Sequence, residues 1–233
     1  RESMGEDIGE AGEDGIKKPE NLLGTLSLDP ISLKCGRNLV PLIDPSQNGP
    51  LLERITLVRY HIGQELGFVI PGVRVMDDLS LPPNQYLIEI RGTKIALGEA
   101  LPGHFFVIDS PSALKRQGID AIDALDPLTN QPASWVTESQ IESLQESNVP
   151  FQNLTDYIAQ HFSDVIKFHS DEIMTRQNVQ SLLDLVKNTN AAIVRELVPD
   201  LLSLGQVHKV LQTLVRERVS IRDLSTILER LAD

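Results

Sequence analysis

Cysteine is nearly absent from this 233-residue chain, which holds Cys35 and no other, and aromatic residues make up only 4% of it. A lone thiol excludes an internal disulfide framework and a thiolate metal cluster, and it fits a reducing compartment. Long apolar runs are missing too. The longest are fragments such as Phe105-Phe106-Val107-Ile108, far short of the roughly 18–20 residues that cross a bilayer. No charged stretch followed by an apolar one marks a secretory signal at the start. Basic residues are also scarce, with 21 Lys and Arg against 33 Asp and Glu, a net charge of −12. Nucleic-acid binding draws most of its affinity from clustered cations that displace counterions, so this balance excludes that class and disfavours anionic membrane surfaces.

The signatures of catalysis are missing as well. No Gly-x4-Gly-Lys-Ser/Thr loop is present, and the glycines from Gly5 to Gly15 sit among carboxylates that repel a phosphate. The histidines are His61, His104, His161, His169 and His208, with no pair at the i, i+4 spacing that aims two imidazoles at one ion. His161 and His169 lie on one helical stretch, about 12 Å apart at the usual rise per residue, too far for a shared metal. They read as partly exposed helix histidines. There is no Gly-x-Ser-x-Gly elbow, and Cys35 falls in a strand as a small buried apolar group. Cofactors and metals are therefore not expected. The acids Asp120, Asp123 and Asp126 are spaced as a helix or turn face in water, and a hydrolase built on Asp123 or Asp126 has only that cluster behind it.

What is present is 41% hydrophobic and 23% charged residues, enough for a substantial soluble core in one large or two ordinary domains. Residues 1–20 carry seven acids, three bases and four glycines, a linker composition. Ile31 to Cys35 and Leu39 to Ile43, separated by Gly36-Arg37-Asn38, read as a strand pair. Asn48-Gly49-Pro50 starts a helix over 50–66, with Leu51, Leu52, Ile55, Val58, Ile62 and Leu66 on one face and Gly67 as its stop. Phe68 to Ile70, Val73 to Val75 and Gln85 to Ile90 read as further strands, giving an α+β unit. Residues 103 to about 153 are turn-rich and read as a small inserted subdomain.

Helical periodicity returns with Thr155 as N-cap and Ile158, Phe162, Val165, Ile166 and Ile173 on one stripe. The final third is helical. Its apolar stripes are Val179 to Val186, Ile193 to Val198 before Pro199, and Val207 to Val215, and Ser220-x-x-Asp223 has the form of a capping box. The chain opens on Arg1 and stops at Asp233 directly after an apolar helix, which reads as a piece of something longer.

Six ordered blocks carry a resemblance. They are Asp29-Pro30-Ile31-Ser32-Leu33, Leu39 to Asp44, Glu65-Leu66-Gly67-Phe68-Val69-Ile70-Pro71-Gly72-Val73-Arg74, Leu101-Pro102-Gly103-His104, Leu197 to Leu214, and Val219 to Glu229. From about Pro19 to Asp233 the chain closely resembles the export-gate family of type III secretion, FlhA and SctV, shared by flagella and virulence injectisomes.

The resemblance implies a cytoplasmic region that follows a multi-span membrane domain, on the cytoplasmic face of the bacterial inner membrane, and it implies no enzyme. The parts would be an acidic linker at 1–25, a split first subdomain at 26–102 and 154–173, an inserted second at 103–153, and a truncated helical third at 174–233, with a fourth absent. It implies a nine-membered ring, docking of chaperone–substrate complexes and gatekeeper proteins, and contact with the export ATPase complex and switch components.

In flagellar members the docking dimple uses an Asp-Pro-Ala-Phe-Gly-Leu segment and a Thr before a helical His. Aligned through Trp135, these fall on Asp126, Pro127, Leu128, Thr129, Asn130 and Gln131, and on Gln160 before His161. The chaperone or gatekeeper cleft so implied comprises Asp126, Pro127, Thr129, Trp135 and Gln160. Asp126 is either a turn-former before Pro127 or a partner contact. Thr129 and Gln160 depart from the flagellar pattern, and an injectisome member is favoured on that ground. A separate reading makes His161 and His169 proton sensors, since an ordinary imidazole titrates near pH 6.5.

Overall fold

The computed structural model describes residues 28–47 and 49–233; the acidic linker read at 1–25 and Asn48 at the expected helix start lie outside the described residues. The architecture is α+β, with one four-stranded sheet, one three-stranded sheet and helices packed around them. No helix among the described residues is long and apolar enough to cross a membrane.

Strand β1 (Ile31–Cys35) turns Ile31, Leu33 and Cys35 into the core, each fully buried. Burial pushes the Cys35 thiol up to about 12, so it stays a protonated apolar group. Helix α1 (Pro50–Leu66) begins with Pro at its first position and ends at Gly67, whose φ of 95° is left-handed. It returns the chain to β2 (Val73–Asp77), parallel to β1. Strands β3 (Gln85–Ile90) and β4 (Thr93–Glu99) complete the order β2-β1-β3-β4. Arg91 and Gly92, with φ of 48° and 75°, form the tight two-residue turn between them.

Two expected strands are corrected. Residues Arg37–Leu42 form a 3-10 helix, in which Leu39 N–H donates to Gly36 and Ile43 N–H to Val40, while Pro41 has no N–H to give a ladder. Phe68 and Ile70 are buried and Val69 is exposed, as in a strand. Yet Arg59 takes the carbonyls of Ile70 and Pro71 at 3.0 and 2.8 Å, so nothing pairs there. Conversely β4 forms where the sequence pattern marks no strand, because Gly98 and Ala96 weaken its alternation.

The second sheet comprises β5 (His104–Val107), β6 (Ile122–Leu125) and β7 (Pro132–Thr137) in the order β5-β7-β6, all antiparallel. The short helices α2 (Pro111–Lys115) and α3 (Ile141–Glu146) cover one face, with Val107, Leu114, Ile119, Val136 and Leu144 as a small separate core. The other face belongs to the main core through Phe106, Ala133 and Trp135.

Helix α4 (Leu154–Phe168) lies beside α1, with Arg54 bound to Asp156 at 2.7 Å near both N-termini and Lys167 to Glu65 at 2.6 Å near both C-termini, so the two run parallel. Its N-cap is Asn153 rather than Thr155, and Asn153 Oδ1 accepts the Asp156 N–H at 2.8 Å. The helix breaks at His169, and α5 (Ser170–Ile173) follows as a single turn. Then come α6 (Arg176–Thr189), α7 (Ala191–Glu196), α8 (Leu204–Arg216) and α9 (Leu224–Ala232). Val198 is extended before Pro199, as the proline requires. Capping boxes occur at Thr175–Asn178 and Ser203–Gln206. The one expected at Ser220 does not form; Asp223 itself caps α9 by accepting the Thr226 N–H at 3.3 Å.

Gly67 joins the first sheet's helix to the last bundle. A Cβ there would meet the backbone of Arg222 and Ile221, and Ile221 N–H donates to the Leu66 carbonyl at 2.8 Å. Gly67→Ala is expected to lower stability by about 2–3 kcal/mol in urea unfolding, from left-handed strain plus overpacking. Gly72→Ala, with open space around it, is expected to stay within about 0.5 kcal/mol.

Candidate docking cleft

Where α4 passes between the two sheets, a cluster of aromatic rings forms around Tyr157. Phe106 of β5 lies 4.3 Å away by ring centroid and Trp135 of β7 5.0 Å, both from the second sheet. Tyr86 of β3 meets Tyr157 edge-on at 6.4 Å from the first. Tyr86 is fully buried, and its ring lies over Gly98 on the neighbouring strand, where any Cβ would collide with it. Its Oη reaches His161 Nδ1 on α4 at 2.7 Å.

Above this cluster opens a cavity of about 500 Å³. Its walls are Ile95 and Ala96 of β4, Pro127 and Leu128 of the β6–β7 turn, and the α4 face bearing His161, Asp164, Val165 and Phe168, with His169 and Arg218 at the rim. Leu128 is 47% exposed and Phe168 66%, so exposed apolar side chains share the lining with the polar groups of Asp164, His169 and Arg218. The turn is held from within by Asp126, which is buried. Its Oδ1 accepts the N–H groups of Leu128 at 2.8 Å and Thr129 at 3.3 Å, while its own N–H donates to the Gln131 carbonyl at 2.9 Å.

The expected site residues therefore divide. Pro127 lines the cleft, Asp126 builds the turn behind it, and Trp135 is buried in the aromatic cluster beneath. Thr129 is exposed on the turn and does not line the cavity. Gln160 lies apart from them, bonded to Asp164 at 2.8 Å and lining a different hollow with Arg54, Leu57 and His61 between α1 and α4. Sequence reasoning missed Leu128, Phe168 and His161.

His161 in particular corrects the expectation of a partly exposed histidine: it is 3% exposed. Its place was encoded, since it falls three residues after Ile158 and four before Val165 on the buried stripe. Desolvation pushes its pKa down to about 4, against the opposing pull of the carboxylates of Asp126 and Asp164. It is neutral throughout the physiological range, which removes it as a proton sensor near pH 6.5. His169 faces Glu172 at 2.8 Å. Asp123 is exposed and Asp126 is occupied by backbone N–H groups, so the carboxylate cluster offers no acid–base pair. No group of three or more potential metal ligands occurs among the described residues.

The lowered His161 pKa sets a pH dependence. The unfolded chain takes up a proton near pH 6.5 that the folded chain refuses until about pH 4. The neutral imidazole's contribution is complete above pH 6.5 and lost as pH falls through that window, up to about 3 kcal/mol. His161→Gln, which cannot titrate, is expected to show a flatter fall of Tm between pH 6.5 and 4 than the parent chain, measured by calorimetry.

The family model described as "FHIPEP family" matches residues 2–233. The flagellar biosynthesis protein FlhA of Bacillus subtilis is 37% identical over 224 residues, which is 96% of this chain and 33% of that protein. The chain thus spans about a third of the curated relative. The Chlamydia pneumoniae CdsV structure, solved in complex with CdsO, superposes with a TM-score of 0.75 at 26% identity, over 88% of this chain and 60% of that one. The nonameric EPEC SctV-C structure, at TM-score 0.64 and 18% identity over 88% and 60% of the two chains, shares the fold. On a match that runs nearly end to end, the chain belongs to the FHIPEP family.

Proposed function

We propose that this chain is a cytoplasmic docking platform of a type III export gate, a non-enzymatic region that receives chaperone–substrate complexes and gatekeeper proteins. It does so as part of a ring, probed also by the export ATPase complex and switch components, at the cytoplasmic face of the inner membrane. The parent's membrane domain would precede the acidic linker. The split first subdomain then carries the four-stranded sheet with α4, the inserted second carries the three-stranded sheet, and the helical third follows.

The observation that carries this reading is the cleft itself. It lies where the two sheets meet, exposes the apolar side chains of Leu128 and Phe168 in its lining, and contains the Asp126-Pro127 turn at its wall. Exposed apolar side chains beside a concave surface are the usual anchor points for a protein partner. The nonameric assembly of EPEC SctV-C and the complex of CdsV with CdsO lend support to a ring and to protein partners.

Two variants of the reading remain distinct. Thr129 and Gln160, in place of the flagellar Phe and Thr, favour an injectisome member. The 37% identity to a flagellar protein over 96% of the chain favours a flagellar one. The chaperones that bind decide between them.

The test is a pull-down by the complete cytoplasmic region against every chaperone encoded with its gene. At least one is expected to be retained. Phe168→Ser, a surface change, is expected to weaken that complex about tenfold, or about 1.4 kcal/mol. Asp126→Ala is expected to weaken it as well by loosening the turn. Retention of no chaperone by the complete region would falsify the docking role.

A further inference from the structure

The cleft floor holds one polar group that the packing does not use. His161 lines the cavity although its residue is 97% removed from solvent, and its Nδ1 is engaged by Tyr86 Oη at 2.7 Å. Its Nε2 makes no hydrogen bond among the described residues. Nor is that nitrogen sealed in the core, because Gln140 Oε1 is the one fully buried side-chain polar atom without a partner among the described residues. Nε2 therefore keeps some contact with solvent, on a residue that lines the cavity.

The tautomer is tied to Tyr86. The 2.7 Å contact is satisfied when its buried hydroxyl donates to Nδ1. A phenol proton given to Nδ1 leaves the imidazole proton on Nε2. The ring cannot swing away, because Tyr86 is pressed against Gly98 and edge-on to the imidazole at a centroid distance of 5.6 Å. In that arrangement the cavity presents a neutral N–H donor in the same lining as the exposed apolar side chains of Leu128 and Phe168.

The charges around it select the acceptor. Asp164 lines the wall, Asp126 lies behind the turn close enough to act on His161, and His169 is occupied with Glu172; Arg218 is the cation at the rim. Two carboxylates near the donor disfavour an incoming carboxylate. A main-chain or amide carbonyl carries no such penalty.

We propose that His161 is a specificity-determining residue of the cleft: its Nε2–H, oriented by Tyr86, donates to a carbonyl oxygen of a docked polypeptide segment whose apolar side chain rests between Leu128 and Phe168. This rests on the docking role above. Because burial holds the imidazole neutral until about pH 4, the donor is the same at every physiological pH. Tyr86 is a positioning residue.

Two measurements test it. In 15N-histidine NMR of this chain at pH 7, the His161 signal is expected to show a protonated Nε2 and an accepting Nδ1, and Tyr86→Phe is expected to yield a mixture of tautomers. By calorimetric titration with the chaperone retained in the pull-down, His161→Leu is expected to bind about threefold to tenfold more weakly. His161→Gln, whose amide nitrogen can stand near the place of Nε2, is expected to bind within about threefold of the parent. A dominant Nδ1–H tautomer overturns the proposal even if the substituted chains fail to fold. Equal binding by the parent and a folded His161→Leu also overturns it and leaves the docking role standing. Failure of the parent to bind any chaperone overturns both.

Discussion

The packing of Tyr157 against rings from two sheets is the contact on which the rest of the molecule depends. Phe106 and Trp135 come from the three-stranded sheet and Tyr86 from the four-stranded one, and α4 carries the ring that all three touch. With only 4% aromatic residues in the chain, gathering four at one joint concentrates a large share of its high-area apolar side chains there. Burial drives the Tyr157 phenol up to about 12, so no charge disturbs the joint. The flanking ion pairs, Arg54–Asp156 and Lys167–Glu65, involve partly exposed side chains and add little energy. They fix the register of α4 on α1, while the rings fix the sheets to α4.

The cleft is a by-product of that joint. Two sheets that met face to face would leave no cavity, but here β4 and the β6–β7 turn approach α4 from either side and stop short of one another. The turn stays open because Asp126 satisfies its backbone from inside, so its apolar residue Leu128 points outward without collapsing onto α4. His161 sits at the base because a polar ring at a buried stripe position needs one partner, and Tyr86 supplies it. A second partner is left to whatever enters.

How much of this was legible varied with the range of the interaction that decides each element. Helix α1 could be read to its ends because proline at its start, glycine at its stop and a 3.6-residue apolar period all lie within the segment itself. The fully apolar positions of β1 were legible for the same reason. The segment Leu39 to Ile43 was not, because its pattern suits a strand equally well and the choice is made by Asn38 bonding across to Pro83 and Asn84. Phe68 to Ile70 failed likewise through Arg59, which is twelve residues from Pro71 in sequence. The caps at Asn153 and Asp223 were misplaced by two or three residues, since several Asx, Ser and Thr residues compete for each start. Of the cleft, Asp126 and Pro127 were legible by resemblance, whereas His161, read as partly exposed, takes the inward place on the buried stripe, and Gln160 points to another hollow because a helix turns about 100° per residue.

The absent aromatic at Thr129 also changes meaning once α4 is in place. Judged along the sequence, replacing a Phe on the turn by Thr removes roughly 1.5–3 kcal/mol of burial from any docked partner. Judged across the cleft, Phe168 stands on the facing wall, two-thirds exposed, opposite Leu128. An apolar anchor is therefore available from the helix instead of the turn. Thr129 alone therefore weighs little against a flagellar partner, because what a partner side chain meets is the sum of both walls. Discrimination then falls to the group that no apolar exchange can imitate, the fixed N–H donor between them.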